Sequence, residues 1–391
     1  MRKGSILVTA ILLVVALPAA ADAGDGDKHR LPVFNFVRKI GTFIDSMTVR
    51  GLDRRYIDAP KKPWQIILQG NVNQSDLKMK TVLDGHDLFD ESWGEVSWEP
   101  RVKSGVSTYV GLWAGYRGYG IGYSRNVGRD KGSLLIFGAM GGSYGVNLRI
   151  HRFETDNPTV HTSGYMPEWN EETREFWLFD PIRVRALSLD GYYLFNGKKF
   201  SYAAAYDQSV IQKRSAGSLM VGAMYYHSTV AYDDGLNADL ILLMNDIGKL
   251  KQYQVSVGGG YAYNFVPCKG LLINAMAMPM LVFYNRFDAW RYNSNLREKA
   301  MEMRQNPSAS DSDEWDIDME DFKIYPMEKD HRVTYHGKMS FLLDARLSIT
   351  CNLGDWFVNA YGQLNNFRFR HEDIKGSLTD WYVNASVGLR L

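Results

Sequence analysis

The sequence predicts an all-β protein: a transmembrane, antiparallel, up-and-down β-barrel of twelve to fourteen strands, with a short amphipathic helix ahead of it. Three observations carry that expectation. From Ser377 to Leu391, Thr379, Trp381, Val383, Ala385, Val387, Leu389 and Leu391 alternate with Tyr382, Asn384, Ser386, Gly388 and Arg390. A period of two with one apolar and one polar side is a β-strand. The run is long against the usual five or six residues, and it suits a tilted strand crossing a bilayer. The chain stops on this strand. In lipid such a strand must pair with the first one and close the sheet, because no edge can stay unpaired there.

The second observation is composition. Apolar residues make up 45% of 391 residues, yet the mean hydropathy is −0.28, too polar for a bundle of membrane helices. A barrel hides its apolar residues in alternation, so the average stays low. There are 23 Tyr, 10 Trp and 36 Gly, and barrels place the aromatics in interfacial girdles and the glycines where strands bend. A net charge of +1 excludes a strongly basic nucleic-acid surface.

The third is targeting. Arg2 and Lys3, the apolar run Ile6 to Leu17 and a small-x-small cleavage site at Ala19-Ala20-Ala21 or Ala21-Asp22-Ala23 form a secretory signal over residues 1–23. That run is too short to span a bilayer, and no other stretch approaches 18 apolar residues. Any membrane attachment of the exported chain is therefore expected from strands. Residues 24–63 form a periplasmic segment. Within it Val33, Phe36, Val37, Ile40, Phe43, Ile44 and Met47 recur at helical spacing. The helix packs on the barrel's lower rim or enters the lumen as a plug. The barrel proper occupies residues 64–391.

Its strands follow in order. Trp64, Ile66, Leu68, Gly70 and Val72 face lipid, with Gln65, Gln69, Asn71 and Asn73 inward, and a polar connection runs to about Glu99. Val106, Thr108, Val110, Leu112 and Ala114 form the next apolar face, turning at Arg117 into Gly118 to Asn126. Ser133 to Phe153 is one overlong strand or a hairpin broken at Gly141-Gly142. A charged loop from Glu154 to Pro181 follows. Ile182 to Phe195 and Lys199 to Ile211 flank Asn196-Gly197-Lys198, and Asn-Gly is the strongest short hairpin signal. Leu219 to Tyr225 and Tyr253 to Phe265 alternate, while Ala238 to Met244 reads as strand or helical turn. Leu271 to Phe287 crosses back after Pro267-Cys268-Lys269-Gly270. The longest connection, Asp288 to about Thr334, precedes the strands Met339 to Ile349, Trp356 to Phe369 and the last one. Splitting at Gly141-Gly142 and admitting Ala238 to Met244 gives fourteen strands, which keeps the Glu154 to Pro181 loop outside; twelve would put it in the periplasm. The parity favours fourteen.

Particular residues also carry a family resemblance. Phe195-Asn196 with Phe200-Ser201-Tyr202, then Gln212 to Ser218, then Gly260-Tyr261-Ala262-Tyr263-Asn264-Phe265, resemble the outer-membrane-type family called domain of unknown function 4421, from about Tyr56 onward. The resemblance implies a barrel and no established activity. The last residue is Leu391, where barrels usually present an aromatic to the barrel assembly machinery.

Chemistry-bearing constellations are few. His227-Ser228-Thr229 is the nearest approach to a hydrolase dyad, but period two puts His227 and Ser228 on opposite faces. The protein is expected to be a non-enzyme without cofactor or metal. The loop Asp311 to Asp321 is acidic but lacks the spacing of a calcium hand. Lys103, Arg149, Asp190, Asp207, Asp344 and Arg346 fall on predicted inward faces. They bias the selectivity of an open pore, or they form a charge network filling a closed one. Cys268 and Cys351 map near the periplasmic rim, about two strands apart, near the geometric limit for a disulfide, and the spacing leaves their pairing open. The leading expectation is an outer-membrane pore or transporter for small solutes, in contact with membrane lipid and lipopolysaccharide. The alternative is a plugged barrel acting through its outer loops, and an outer-membrane lipid hydrolase is the remote third.

Overall fold

Lipid allows a sheet no free edge, and here twelve antiparallel wall strands close on themselves. The structure, a computed structural model, describes residues 51–84, 95–99, 101–128, 131–155, 159–162, 172–175, 181–231, 241, 247–294, 324–326, 332–371 and 374–391. The wall comprises β1 (Trp64–Asp84), β2 (Ser107–Tyr116), β3 (Tyr119–Asn126), β4 (Gly132–Met140), β5 (Tyr144–Thr155) and β6 (Ile182–Leu194). It continues with β7 (Ala216–Ala231), β8 (Ile247–Cys268), β9 (Leu271–Ser294), β10 (Ser340–Leu353), β11 (Trp356–His371) and β12 (Ile374–Arg390). Short strands such as Arg101–Lys103 and Arg332–His336 extend the wall at one end.

The closing seam is the predicted one. β12 pairs with β1 from Gln65↔Arg390 to Thr81↔Ile374. Beyond it, Leu391 N–H donates to the Trp64 carbonyl at 2.9 Å. One end of the barrel carries tight turns. Arg117 (φ 51°) and Gly118 (φ 88°) make a two-residue hairpin of the kind that needs positive φ at both positions. The other end carries the long connections.

Alternation then sorts the side chains. Leu68, Leu112, Leu219, Leu347 and Val383 lie exposed on the outer surface, and Phe341 is 73% exposed. So large a continuous apolar surface is the belt of a membrane-spanning barrel. Inside, Gln65, Gln69, Asn71, Asn264, Asn274, Asn359 and Asn384 are buried. Packing on the inner face is tight. The Trp113 ring lies over glycines of β3 and β4, so that a Cβ at Gly120, Gly122 or Gly138 would meet it at 2.5, 2.8 and 2.9 Å. No side chain fits beneath that indole.

Two alternatives are decided and one expectation is overturned. Ser133 to Phe153 does break at Gly141-Gly142, into β4 and β5. Lys199 to Ile211, however, is not a strand. It folds into the barrel around a single helical turn, α1 (Ala203–Tyr206), and β6 pairs directly with β7 from Leu194↔Met220. One strand is gained and one lost, which leaves twelve rather than fourteen and keeps the connection after β5 at the long-loop end. Ala238 to Met244 lies, Ile241 apart, outside the described residues. So do the signal peptide, the amphipathic helix and the loop Asp311 to Asp321.

The third concerns the cysteines, which are free thiols. Leu271 on β9 pairs with Cys268 on one side and Cys351 on the other. Two strand spacings, about 9–10 Å, separate them, beyond the reach of a disulfide.

Gly122→Val is expected to destabilise the barrel by about 1–3 kcal/mol through overpacking against Trp113. Gly70→Ala, whose Cβ would meet nothing closer than 3.9 Å, is expected to cost less than about 0.5 kcal/mol. Urea unfolding midpoints in lipid vesicles check both. Intact-mass analysis with a maleimide reagent in the unfolded state is expected to find both cysteines labelled without prior reduction.

Candidate functional site

The site is the lumen, and the inserted segment divides it. Residues 195–215 leave β6 at the short-turn end, turn inward and return to β7. Phe200, Tyr202, Ala203, Ala204, Ala205, Gln208 and Val210 are all buried. A helical turn this short leaves its carbonyls without helical partners, and buried backbone acceptors must be satisfied elsewhere. Here the barrel wall supplies the donors. Asn359 on β11 donates to the Ala205 carbonyl at 3.0 Å, and Gln65 on β1 to that of Asp207 at 3.3 Å. Arg390 on β12 donates twice to that of Gln208, at 3.1 and 2.9 Å. Asn264 on β8 donates to the Ser201 carbonyl at 2.8 Å, and the Tyr206 hydroxyl donates to Asn274 on β9 at 2.7 Å. Gln208 itself sits at φ 61°, a conformation that a non-glycine residue keeps only where its surroundings over-determine it. Five wall strands on different sides of the barrel thus grip one short segment.

The segment is clamped from below as well. Ile57–Asp58 pairs with Ile211–Gln212, and Lys213 N–H donates to the Tyr56 carbonyl at 2.7 Å. Nearby, the Arg55 guanidinium donates to Asp53 at 3.0 and 2.8 Å and pulls that carboxyl down to about 2.

Above the segment lies a charge network. Arg346 donates to both oxygens of Asp344, at 3.0 and 2.7 Å, reaches Asp190 at 3.3 Å, and donates to the Tyr202 hydroxyl at 2.9 Å. Arg149 donates to Gln363 at 2.6 Å and lies over the Tyr382 ring at 5.0 Å. Asp190 also accepts from Asn147 at 2.9 Å. One arginine, Arg346, holds two aspartates, Arg149 joins them through Gln363, and Tyr202 ties the network to the inserted segment. A cavity of about 80 Å³ remains between network and segment, space for a few water molecules.

Of the predicted inward residues, Arg149, Asp190, Asp344 and Arg346 meet in this network. Asp207 is inside the barrel but on the inserted segment rather than a strand. Neither of its carboxylate oxygens makes a hydrogen bond of standard geometry among the described residues. Lys103 is a correction. Asn73 pairs with Ser107 but Asp76 pairs with Lys103, so three residues on one side oppose two on the other. That bulge inverts the alternation, and Lys103 shares the outward face of Asp76. Toward the long-loop end the lumen is more apolar. A pocket of about 60 Å³ lies among Leu77, Phe153, Ile182, Val184, Tyr226 and Asp380. His227 faces outward, stacked on Tyr253 at 4.3 Å, while Ser228 faces inward and is buried. The two share no face.

Sequence pattern alone does not mark the anchors Gln65, Asn264, Asn274, Asn359 and Arg390 as site residues. Ala203-Ala204-Ala205 is the signal that could have found their partner, because a triple alanine breaks period-two alternation and favours helix. Arg346→Met would strand two buried carboxylates and is expected to destabilise the barrel by about 3–5 kcal/mol. Asn365→Ala, whose side chain accepts from Gln363 at 3.2 Å and makes no ion pair, is expected to cost about 1 kcal/mol. Urea midpoints in vesicles give both values.

Comparison with known proteins places the chain in a family. No curated protein sequence matches it. Among solved structures, the translocator domain of the autotransporter NalP from Neisseria meningitidis is 10% identical, with a TM-score of 0.32 over 98% of this chain and 99% of that one. The outer membrane protease OmpT from Escherichia coli is 7% identical, with a TM-score of 0.34 over 84% and 97%. The outer membrane protein OprG from Pseudomonas aeruginosa is 11% identical, with a TM-score of 0.27 over 84% and 96%. The family assignment rests on sequence: residues 101–390 match the domain of unknown function DUF4421. The chain belongs to the DUF4421 family.

Proposed function

We propose that the protein is a non-enzymatic outer-membrane barrel whose lumen is held shut at the periplasmic end, and that it acts through its outward-facing end. The closed sheet, the apolar belt, the even strand number and the gathering of the long connections, the inserted segment apart, at one end support an outer-membrane location with the other end in the periplasm. In that setting the chain is exported by its signal, inserted by the barrel assembly machinery, and surrounded by membrane lipid and lipopolysaccharide.

The single observation that carries the closed state is the grip on residues 195–215. Side chains from β1, β8, β9, β11 and β12 all bond to that segment. Arg346 on β10 adds a charge-assisted bond to Tyr202. Each bond closes a backbone, hydroxyl or charged group that would otherwise be buried unpaired, so displacing the segment costs all of them together. A freely open pore needs no such grip, and this favours the plugged barrel over a simple porin.

A second reading follows from Asp207. A buried carboxyl group whose oxygens make no hydrogen bond of standard geometry among the described residues is a point at which the segment is held less well. That supports a gated channel, opened when the segment leaves, with small solutes as cargo.

Planar-bilayer recording distinguishes these. The wild type, with insertion confirmed by a heat-dependent shift in gel mobility, is expected to give no stepwise current. A variant with residues 199–211 replaced by a short Gly-Ser linker is expected to conduct in discrete steps. Steady conductance by the wild type would overturn the closed reading, and brief openings that multiply in Asp207→Arg would favour the gated one.

A further inference from the structure

The outer wall near the long-loop end carries an arrangement that neither plug nor lumen explains. Arg125 on β3 pairs with Ser133 on β4, Ser133 with Arg152 on β5, and Arg152 with Arg185 on β6. These residues form one row across four strands. All three arginines are exposed, and with Tyr123, Lys131 and Arg183 they line an external groove of about 310 Å³. Glu154, opposite Arg183, is the one acid in that lining. Among the described residues none of the five cations has an ion-pair partner.

Like charges directly opposite one another in a sheet are destabilising. Arg152 and Arg185 are such a pair, about 5 Å apart between backbones, and Arg125 stands one strand beyond Ser133. A row of this kind is stable when anions sit between its members, and a guanidinium grips a phosphate through two hydrogen bonds. The height of the row says which anion. Along β5 the wall rises about 26 Å from Tyr144 to Arg152, which is about 20 Å along the barrel axis at the usual strand tilt. Val146 on β5 and Leu189 and Tyr193 on β6 are exposed on the same outer face below the row. An apolar band in such barrels is about 25 Å tall. The arginines therefore sit at its upper edge, where lipid headgroups meet the wall.

We propose that this row is a binding site for a glycolipid bearing phosphate monoesters, the headgroup chemistry of lipopolysaccharide. Its phosphates bridge Arg125, Arg152 and Arg185, and its acyl chains lie on the apolar wall below. The short side chain of Ser133 leaves room for the sugar between the arginines. The inference rests on the outer-membrane reading and needs no open lumen.

Native mass spectrometry of the full chain, refolded in detergent with diphosphoryl lipid A, tests it. The wild type is expected to retain the lipid, and R125Q/R152Q/R185Q to lose at least tenfold in retention, with R152Q intermediate. Lys61→Gln, Lys62→Gln and Lys213→Gln together, at the opposite end, are expected to change nothing. Enzymatically dephosphorylated lipid A is expected to be retained at least tenfold less, and equimolar inorganic phosphate to displace none. Equal retention by wild type and triple variant, or of the dephosphorylated lipid, would overturn the site, and displacement by inorganic phosphate would overturn its lipid nature. A heat-dependent gel shift separates the causes: if it is lost in the wild type the barrel reading fails, and if it is kept without lipid retention this inference alone fails. Should the triple variant not fold, R152Q with the dephosphorylated lipid carries the comparison.

Discussion

Every backbone amide in the wall of a membrane barrel must find its partner within the wall, and that requirement fixes most of this molecule. It explains why β12 pairs along nearly its whole length with β1, and why the terminal Leu391 still bonds to Trp64. It also imposes a strict period of two, because any slip would carry polar side chains into hydrocarbon and apolar ones into the lumen. Once the sheet is closed, its interior is a confined space with a polar lining, and the remaining question is what fills it.

The chain answers with itself. A connection that could have been a three-residue turn is instead lengthened and folded inward. The polar inner face that would otherwise need water is bonded to the carbonyls of residues 195–215. The network of Arg346, Asp344 and Asp190 caps this arrangement. Buried ion pairs of this kind contribute little net stability but penalise any rearrangement that separates them. The long-loop half of the lumen and the outer wall are left as the surfaces with unsatisfied chemistry, and there the arginine row stands.

The wall was legible in the sequence because lipid on one side and polar surroundings on the other write themselves into alternate residues. The terminal strand and the inward Arg149, Asp190, Asp344 and Arg346 all follow from that rule. The plug was not legible by the same means. Gln65, Asn264, Asn359 and Arg390 look alike whether they face water or grip a buried segment, and Asn196-Gly197 favours a hairpin on local grounds. Only Ala203-Ala204-Ala205, too weak in β propensity for a strand, pointed elsewhere. Lys103 was misplaced for a different reason. Simple alternation runs straight through the bulge between Lys103 and Ser107, and one extra residue reverses every face beyond it.

The position of residues 195–215 inside the barrel is what the account depends on most, and cross-linking tests it directly. With Cys268 and Cys351 replaced by serine, Ala205→Cys and Asn359→Cys are introduced together, at a pair whose backbone carbonyl and side-chain amide lie 3.0 Å apart. The folded protein in native-like membranes is treated with a short bis-methanethiosulfonate reagent and digested. A peptide linking the two positions, together with protection of the thiol at position 205 from a bulky maleimide, is the predicted result. Absence of the link, with that thiol freely labelled in the folded barrel, would place the segment outside the lumen and contradict the account.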